Sequence, residues 1–305
     1  MSSIAYAADE KMLEYHRLCG TQNINFWRLS SHEGFKDFHP GDLLFFYAHG
    51  LRGRKKGLVG YAHYEHTHTM SLKQMWDRYG TSNGYDTMDQ MKEAIEKASR
   101  NHQVPAKMNC LYLTNVIFFR TPVYPKDAGL SINEKLESYT YIDQDDPYMS
   151  VRILKMAERN GIDIWQESQT EERSQDIFRR DAIRLQLGNF CQEAGSRGFS
   201  ENERRRAEKL VRDKLKEPGW NSIPLCKTEC YCLKHDTLTI GLPFVYQARN
   251  RQQRLLELLG RITWYQLRMH KEKVRVEHLD FCILQEEEDE EVKKLLKALE
   301  ENERL

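Results

Sequence analysis

NINFWRLSSHEGFKDFHPGDLLFFYAHGLRGRKKGLVGYAHY, residues 23–64, decides how the first half of the chain folds. Three runs in it are strand-forming: residues 23–29, Leu43–His49 and Leu58–Tyr64. Aromatic and branched side chains fill them, as a pleated, half-buried surface requires. Pro40-Gly41 punctuates the first gap as a turn, with Asp42 as a structural turn residue. The second gap, GLRGRKK at 50–56, is a Gly-rich basic loop.

Downstream of this stretch, 71–79 (SLKQMWDRY) and 86–101 (DTMDQMKEAIEKASRN) read as helices, the second capped by Asp86. Cys110–Phe119 is a further strand, and PVYPKDAGLSI at 122–132 closes the unit. Short strands with inserted helices predict a small β-barrel within an α+β protein. The polar segment 143–150 (DQDDPYMS) marks the end of this first domain, 1–142, and a helical linker is expected over 143–198.

Several of these residues occur in an order that resembles the EVE branch of PUA-like domains, over about residues 20–142. They are Phe26-Trp27, Pro40-Gly41-Asp42 with Leu44-Phe45-Phe46-Tyr47, and Gly57-Leu58-Val59-Gly60. Trp76-Asp77-Arg78-Tyr79-Gly80 with Asn83-Gly84, then Leu113–Phe119 and Pro122, complete the set. The resemblance implies a pocket for a flipped, modified base, as in the related methyl-reading YTH domains. Trp27, Tyr47, Trp76 and Tyr79 are the candidate pocket aromatics. Stacking on such rings restores part of the energy lost when a base leaves its stack, and a methyl or hydroxymethyl group adds apolar contact. Core packing is the competing role for each ring. Arg52, Arg54, Lys55 and Lys56 form a basic loop suited either to phosphates or simply to solvent.

The chain balances 46 Lys+Arg against 46 Asp+Glu, so only the distribution of charge is informative. Residues 197–275 carry 18 basic against 9 acidic side chains, and 285–305 carry 4 against 9. The first reads as a polyanion site or a solvated helical surface, the second as an acidic helical tail, solvated or dimerising. Ser200-x-x-Glu203 opens a helix to about 216 with a capping box. Strands are expected at 222–233, 236–240, 244–249 (FVYQAR) and 274–284, and a helix at 250–271 with Leu255, Leu258, Leu259 and Ile262 on one face.

The resulting α-β-β-β-α-β order over 199–284 resembles the PD-(D/E)XK nuclease core of Mrr-type restriction enzymes. That resemblance implies catalytic positions at Asp236, Gln247 and Arg249, Mg²⁺ held at Asp236, Gln252 or Gln253 on the following helix, and Glu203 or Glu208 joining the metal. The chain departs from the pattern in placing arginine where those enzymes place lysine, and a planar fork does not replace a compact ammonium. An active nuclease, a nuclease fold without activity and an unrelated domain all stay open. Arg204, Arg205, Arg206, Arg249, Arg251 and Arg254 are candidate phosphate contacts.

Seven unevenly spaced cysteines make no disulfide framework. Cys226-x₃-Cys230-x-Cys232-x₂-His235 has zinc-like spacing but reads more simply as buried thiols. His63, His66 and His68 beside Glu65 form a weaker metal candidate, with loop polarity as the alternative. No signal peptide or membrane span is visible, which predicts a cytoplasmic protein. The leading expectation is modification-dependent DNA restriction of the anti-phage type. The alternatives are a non-catalytic reader of modified DNA acting through an effector protein, a homodimer among its forms, and an RNA-binding PUA-like protein.

Overall fold

Residues 3–29, 35–50, 55–163, 174–195 and 197–295 are described in this computed structural model. The chain divides into two compact units, Met1–Ala182 and Ile183–Leu305.

The first unit is built on six strands: β1 (Ile4–Ala7), β2 (Ile24–Arg28), β3 (Leu43–His49), β4 (Lys56–Met70), β5 (Met108–Val123) and β6 (Tyr139–Tyr141). Their order in the sheet is β2-β5-β4-β3-β1-β6, with β1 and β3 parallel and the other pairs antiparallel. Alternation sorts their side chains. Ile4, Tyr6, Ile24, Phe26, Leu44, Phe46, Ala62, Tyr64, Leu111 and Leu113 share one buried cluster on the inner face. Each such side chain contributes about 1.5–3 kcal/mol by leaving water.

The expected barrel is not closed: among the described residues no pairing joins β2 to β6. The seam is instead bridged by side chains, with the Tyr6 and Phe26 rings edge to face at 5.0 Å. Gly60 permits the tight β4–β5 pairing, since a Cβ there would lie 2.3 Å from the Ile117 carbonyl oxygen.

Helices α1 (Glu10–Leu18), α2 (Leu72–Tyr79), α3 (Met88–Ala98), α4 (Pro125–Ala128) and α5 (Met149–Asn160) complete this unit, with the start of α6 (Ser174–Glu193). Ser71 and Gln74 form a capping box on α2. Thr87, not Asp86, caps α3 by accepting from the Gln90 N–H. The segment expected as a boundary is tied into this unit, because the Asp143 carboxylate accepts from the N–H groups of Ser3 at 3.1 Å and Ser150 at 2.9 Å. The linker reading of 143–198 therefore gives way to α5 and α6, and the division falls inside α6.

The second unit contains α7 (Glu201–Lys214), β7 (Trp220–Ser222), β8 (Cys230–Lys234), β9 (Thr237–Pro243), α8 (Arg251–Glu272) and β10 (His278–Leu284). The α-β-β-β-α-β order is met by other strands than those expected: residues 222–233 are not one strand but hold the end of β7, a loop and most of β8. Strands β7, β8 and β9 form an antiparallel meander, and β10 returns parallel to β9 after α8. Ser200 and Glu203 make the capping box. Leu255, Leu258, Ile262, Tyr265 and Met269 bury one stripe of α8. Residues 244–249 are not a strand. The chain leaves the sheet after Pro243 and makes a 3₁₀ turn at Ala248–Asn250. Among the described residues no helix is long and apolar enough to cross a membrane.

Candidate nucleic-acid interface

Two irregularities in the β4–β5 pairing build the site. Tyr61 pairs with Ile117 but His63 pairs with Thr114, and Tyr64 pairs with Leu113 but His66 with Tyr112. Each slip inserts one extra residue, near Asn115 on β5 and at Glu65 on β4, and Asn115 takes a positive φ of 51° to do so. A one-residue slip exchanges the two faces of a strand. His63, before the slip, and His66 and His68, after it, therefore share the outer face with Tyr112.

On that face four rings form a ladder. Tyr79, at the end of α2, stacks on Tyr112 at 5.7 Å and 21°. Tyr112 stacks on His66 at 5.1 Å and 24°, and His66 meets His68 at 4.5 Å and 64°. The Arg78 guanidinium lies 5.3 Å from the Tyr79 ring centre. All four rings are half-buried. Burial, then the nearby His68 and Arg78, lowers the pKa of His66, so its imidazole is neutral at pH 7. Burial raises the pKa of Tyr79, keeping it a phenol. Neither Tyr79 Oη nor His66 Nε2 has a hydrogen-bond partner among the described residues. The ladder is thus a polarisable aromatic surface with a cation at one end.

His63 stands apart from the ladder. Its Nε2 lies 2.9 Å from the Asp181 carboxylate of α6, which also accepts from the Tyr61 hydroxyl at 2.7 Å, while Asn115 Nδ2 lies 3.3 Å from His63 Nδ1. Burial, reinforced by Asp181, holds the Tyr61 phenol far above its ordinary pKa. This cluster pins α6 to the sheet. The three histidines do not assemble as a metal set.

Trp27, Trp76 and Tyr79 do come together, around the methionines Met70, Met75, Met91 and Met108 under α2 and α3. Tyr47 is elsewhere: it is buried on β3 with the Lys56 ammonium 5.9 Å from its ring centre, and burial raises its pKa. Alternation puts Tyr47 and Trp27 on separate strands of the outer face with β4 and β5 between them. Trp27 also lines a cleft of about 870 Å³ at the β1–β2 seam, with Arg28, Arg100, Asn101 and Gln103. Of the basic loop, Lys55 is exposed, Lys56 covers Tyr47, and Arg52 and Arg54 lie outside the described residues. The Asp42 carboxylate accepts from the His39 N–H at 2.8 Å, as a turn residue should.

In the second unit the candidate catalytic residues do not converge. Asp236 sits in the turn before β9, where its carbonyl accepts from the N–H groups of Glu277 and His278. Gln247 and Arg249 follow the other end of β9, whose seven residues span roughly 20 Å. Gln247 caps the 3₁₀ turn, and Arg249 is exposed.

Glu203 is committed to Arg254 at 2.8 Å and Asn250 at 2.9 Å. Burial opposes its ionisation, but the hydrogen bonds from Arg254, Asn250 and Ser200 outweigh that and bring its pKa down to about 2. Arg204 pairs with Glu201. Arg251 is held by Asp289 and Glu291 at 2.7 Å each, and Arg206 by Glu286. The acidic segment therefore occupies arginines expected to meet phosphates.

Among the described residues, the one group of three or more ligand-type side chains within 4.8 Å is Cys191, Cys226 and Glu229. Asp236 is not in it, and neither are Cys230, Cys232 or His235. Both β8 cysteines are buried, and Cys226 faces α6 instead.

No family model matches the chain, and no curated protein matches it. Among solved structures it is similar to ASCH from Zymomonas mobilis, at 15% identity over 49% of this chain and 93% of that one, with a TM-score of 0.35. A tyrosine-to-phenylalanine mutant of that protein gives 14% identity, 50% and 97% coverage and a TM-score of 0.36. A hypothetical protein from Leishmania major gives 14%, 52%, 96% and 0.32. These are distant likenesses of about half the chain.

Proposed function

We propose that the first unit binds nucleic acid by stacking unpaired bases on the Tyr79–Tyr112–His66–His68 ladder. The observation that carries this reading is the ladder itself: four rings, half-buried and nearly parallel over most of its length, with Arg78 at one end. Every base has a π face, so such a surface takes bases without regard to sequence, at about 1–3 kcal/mol per stacked base. A flipped, modified base is the finer form of the reading. The cleft beside Trp27 has the volume for it, and the Asn101 and Gln103 amides carry donors and acceptors suited to a base edge.

The second unit is read as a scaffold that does not cut. Support comes from the separation of Asp236 from Gln247 and from the neutralisation of Glu203 by Arg254. The chain then acts as a reader, and restriction would require a separate effector.

The test titrates labelled single- and double-stranded DNA and RNA, plain or carrying methylated or hydroxymethylated bases, in the presence of Mg²⁺. Anisotropy reports binding and gels report cleavage. Tighter binding of single strands than of duplex, without cleavage, is expected. Binding that prefers plain duplex contradicts the stacking reading, and metal-dependent cleavage contradicts the scaffold reading.

A further inference from the structure

We infer that Cys191 and Cys226 form a redox-active dithiol that a hydroperoxide converts to a disulfide. Cys191 lies in the last turn of α6 and Cys226 in the loop between β7 and β8, 35 residues apart in sequence, yet their sulfurs lie within 4.8 Å. They differ in access. Cys191 is buried and Cys226 half-buried, and both line a cavity of about 210 Å³ with Arg197 and Lys227. Solvent-borne oxidant reaches Cys226 first.

The surroundings favour a thiolate over a metal. The Arg261 guanidinium sits 3.2 Å from the Cys191 sulfur and repels a cation. Glu229, the third ligand-type group, has both oxygens engaged, by Arg261 Nε at 2.8 Å and by the Tyr265 hydroxyl at 2.6 Å. The hydrogen bond from the Cys191 thiol lowers the pKa of Cys226, and the same bond with burial raises that of Cys191.

The loop carrying Cys226 can supply the small movement that closure needs. Leu225, beside it, holds a positive φ of 60° and exposes 64% of its surface. A branched aliphatic residue in that conformation is strained and gains by leaving it.

The chemistry balances. The Cys226 thiolate attacks the peroxide, breaking the O–O bond; the distal product leaves as an alcohol, or water from hydrogen peroxide, after taking a proton. Cys226 becomes a sulfenic acid. The Cys191 sulfur then attacks the Cys226 sulfur, its proton goes to the departing hydroxyl, and water is released as the disulfide forms. Two thiols are oxidised and one peroxide is reduced. Closure staples the end of α6 to the β7–β8 loop.

The experiment treats the native full-length chain with hydrogen peroxide, blocks remaining thiols with N-ethylmaleimide and maps the peptides by mass spectrometry without reductant. The expected result is a linked Cys191–Cys226 peptide pair and a loss of two of the seven free thiols, both reversed by dithiothreitol. In Cys191→Ser, dimedone should trap a sulfenic acid on Cys226, while exposed Cys19 serves as the reference thiol. Should a variant fail to fold, the wild-type map decides alone. Survival of both thiols at an oxidant level that consumes Cys19, or linkage of Cys226 to any other cysteine, overturns the proposal.

Discussion

The first unit buries one histidine with no partner, whereas the second buries two carboxylates, each against an arginine. His16 is fully buried in α1, and among the described residues neither ring nitrogen has a hydrogen-bond partner; burial lowers its pKa to about 4. It is held neutral. Glu203 meets Arg254, and Glu229 meets Arg261, with all four side chains at most 5% exposed. The same contrast holds at the surface. The ladder of the first unit is a set of half-buried rings, while Arg206 and Arg251 of the second are occupied by Glu286, Asp289 and Glu291. A count of basic residues therefore points to the second unit as the polyanion site, but several of those residues are held by carboxylates, and the proposed stacking surface is on the first.

The largest expected effect breaks a closed pair. Arg254→Ala leaves Glu203 charged, buried and unpaired, and removing one partner of a buried pair costs about 3–5 kcal/mol. Urea unfolding of the second unit should move to lower concentration by that amount, with the first unit's transition unchanged. A loss under about 1 kcal/mol would show that water already solvates Glu203.

Acid separates the two units by mechanism. The folded pKa of His16 lies below its ordinary 6.5, so the unfolded chain binds the proton first and stability falls from pH 6.5 down to about 4. The loss is on the order of 3 kcal/mol. The folded pKa of Glu203 lies below its ordinary 4.5, so its contribution is complete above pH 4.5 and disappears between pH 4.5 and about 2. The first unit should thus soften at pH 5, where the second does not. His16→Leu should flatten the first profile; an unchanged profile contradicts the assignment.

The smallest effect concerns the acidic segment. Glu286→Gln with Asp289→Asn and Glu291→Gln removes the carboxylates that hold Arg206 and Arg251. Exposed pairs are worth about 0–1 kcal/mol, so affinity for heparin or duplex DNA should rise by no more than about fivefold and vanish at high salt. A decrease would mean that the acidic segment helps hold the surface that binds.

Much of this architecture was legible in the sequence because local rules governed it. The capping box at Ser200 and Glu203, the runs at Leu43–His49 and Leu58–Tyr64, and the stripe through Leu255 and Ile262 all formed as read. The expected FVYQAR strand failed because β propensity says nothing about where a sheet ends. The barrel failed to close because closure depends on strand pairing across the seam, which no local pattern encodes.

Of the four aromatic residues read as one pocket, Trp27, Trp76 and Tyr79 pack against one hydrophobic cluster and Tyr47 does not, and the ladder was not legible. Tyr112 and the histidines reach one face only through slips at Glu65 and Asn115, and nothing in a run of alternating residues announces an inserted one. The Cys191–Cys226 contact joins a helix end to a distant loop. Its one visible signal was Cys226, which sequence spacing groups with Cys230 and Cys232 rather than with its neighbour in space.

The most direct test of the account is the affinity of a fluorescein-labelled single-stranded oligonucleotide for the wild-type chain, Tyr112→Ala and Tyr112→Phe. Tyr112 stands in the middle of the ladder, so losing its ring should weaken binding by about tenfold, within the range of one stacked base, while the Tyr112→Phe variant keeps the π face and the affinity. Equal binding by wild type and Tyr112→Ala, with both folded, would contradict the claim that this ladder is where the protein meets nucleic acid.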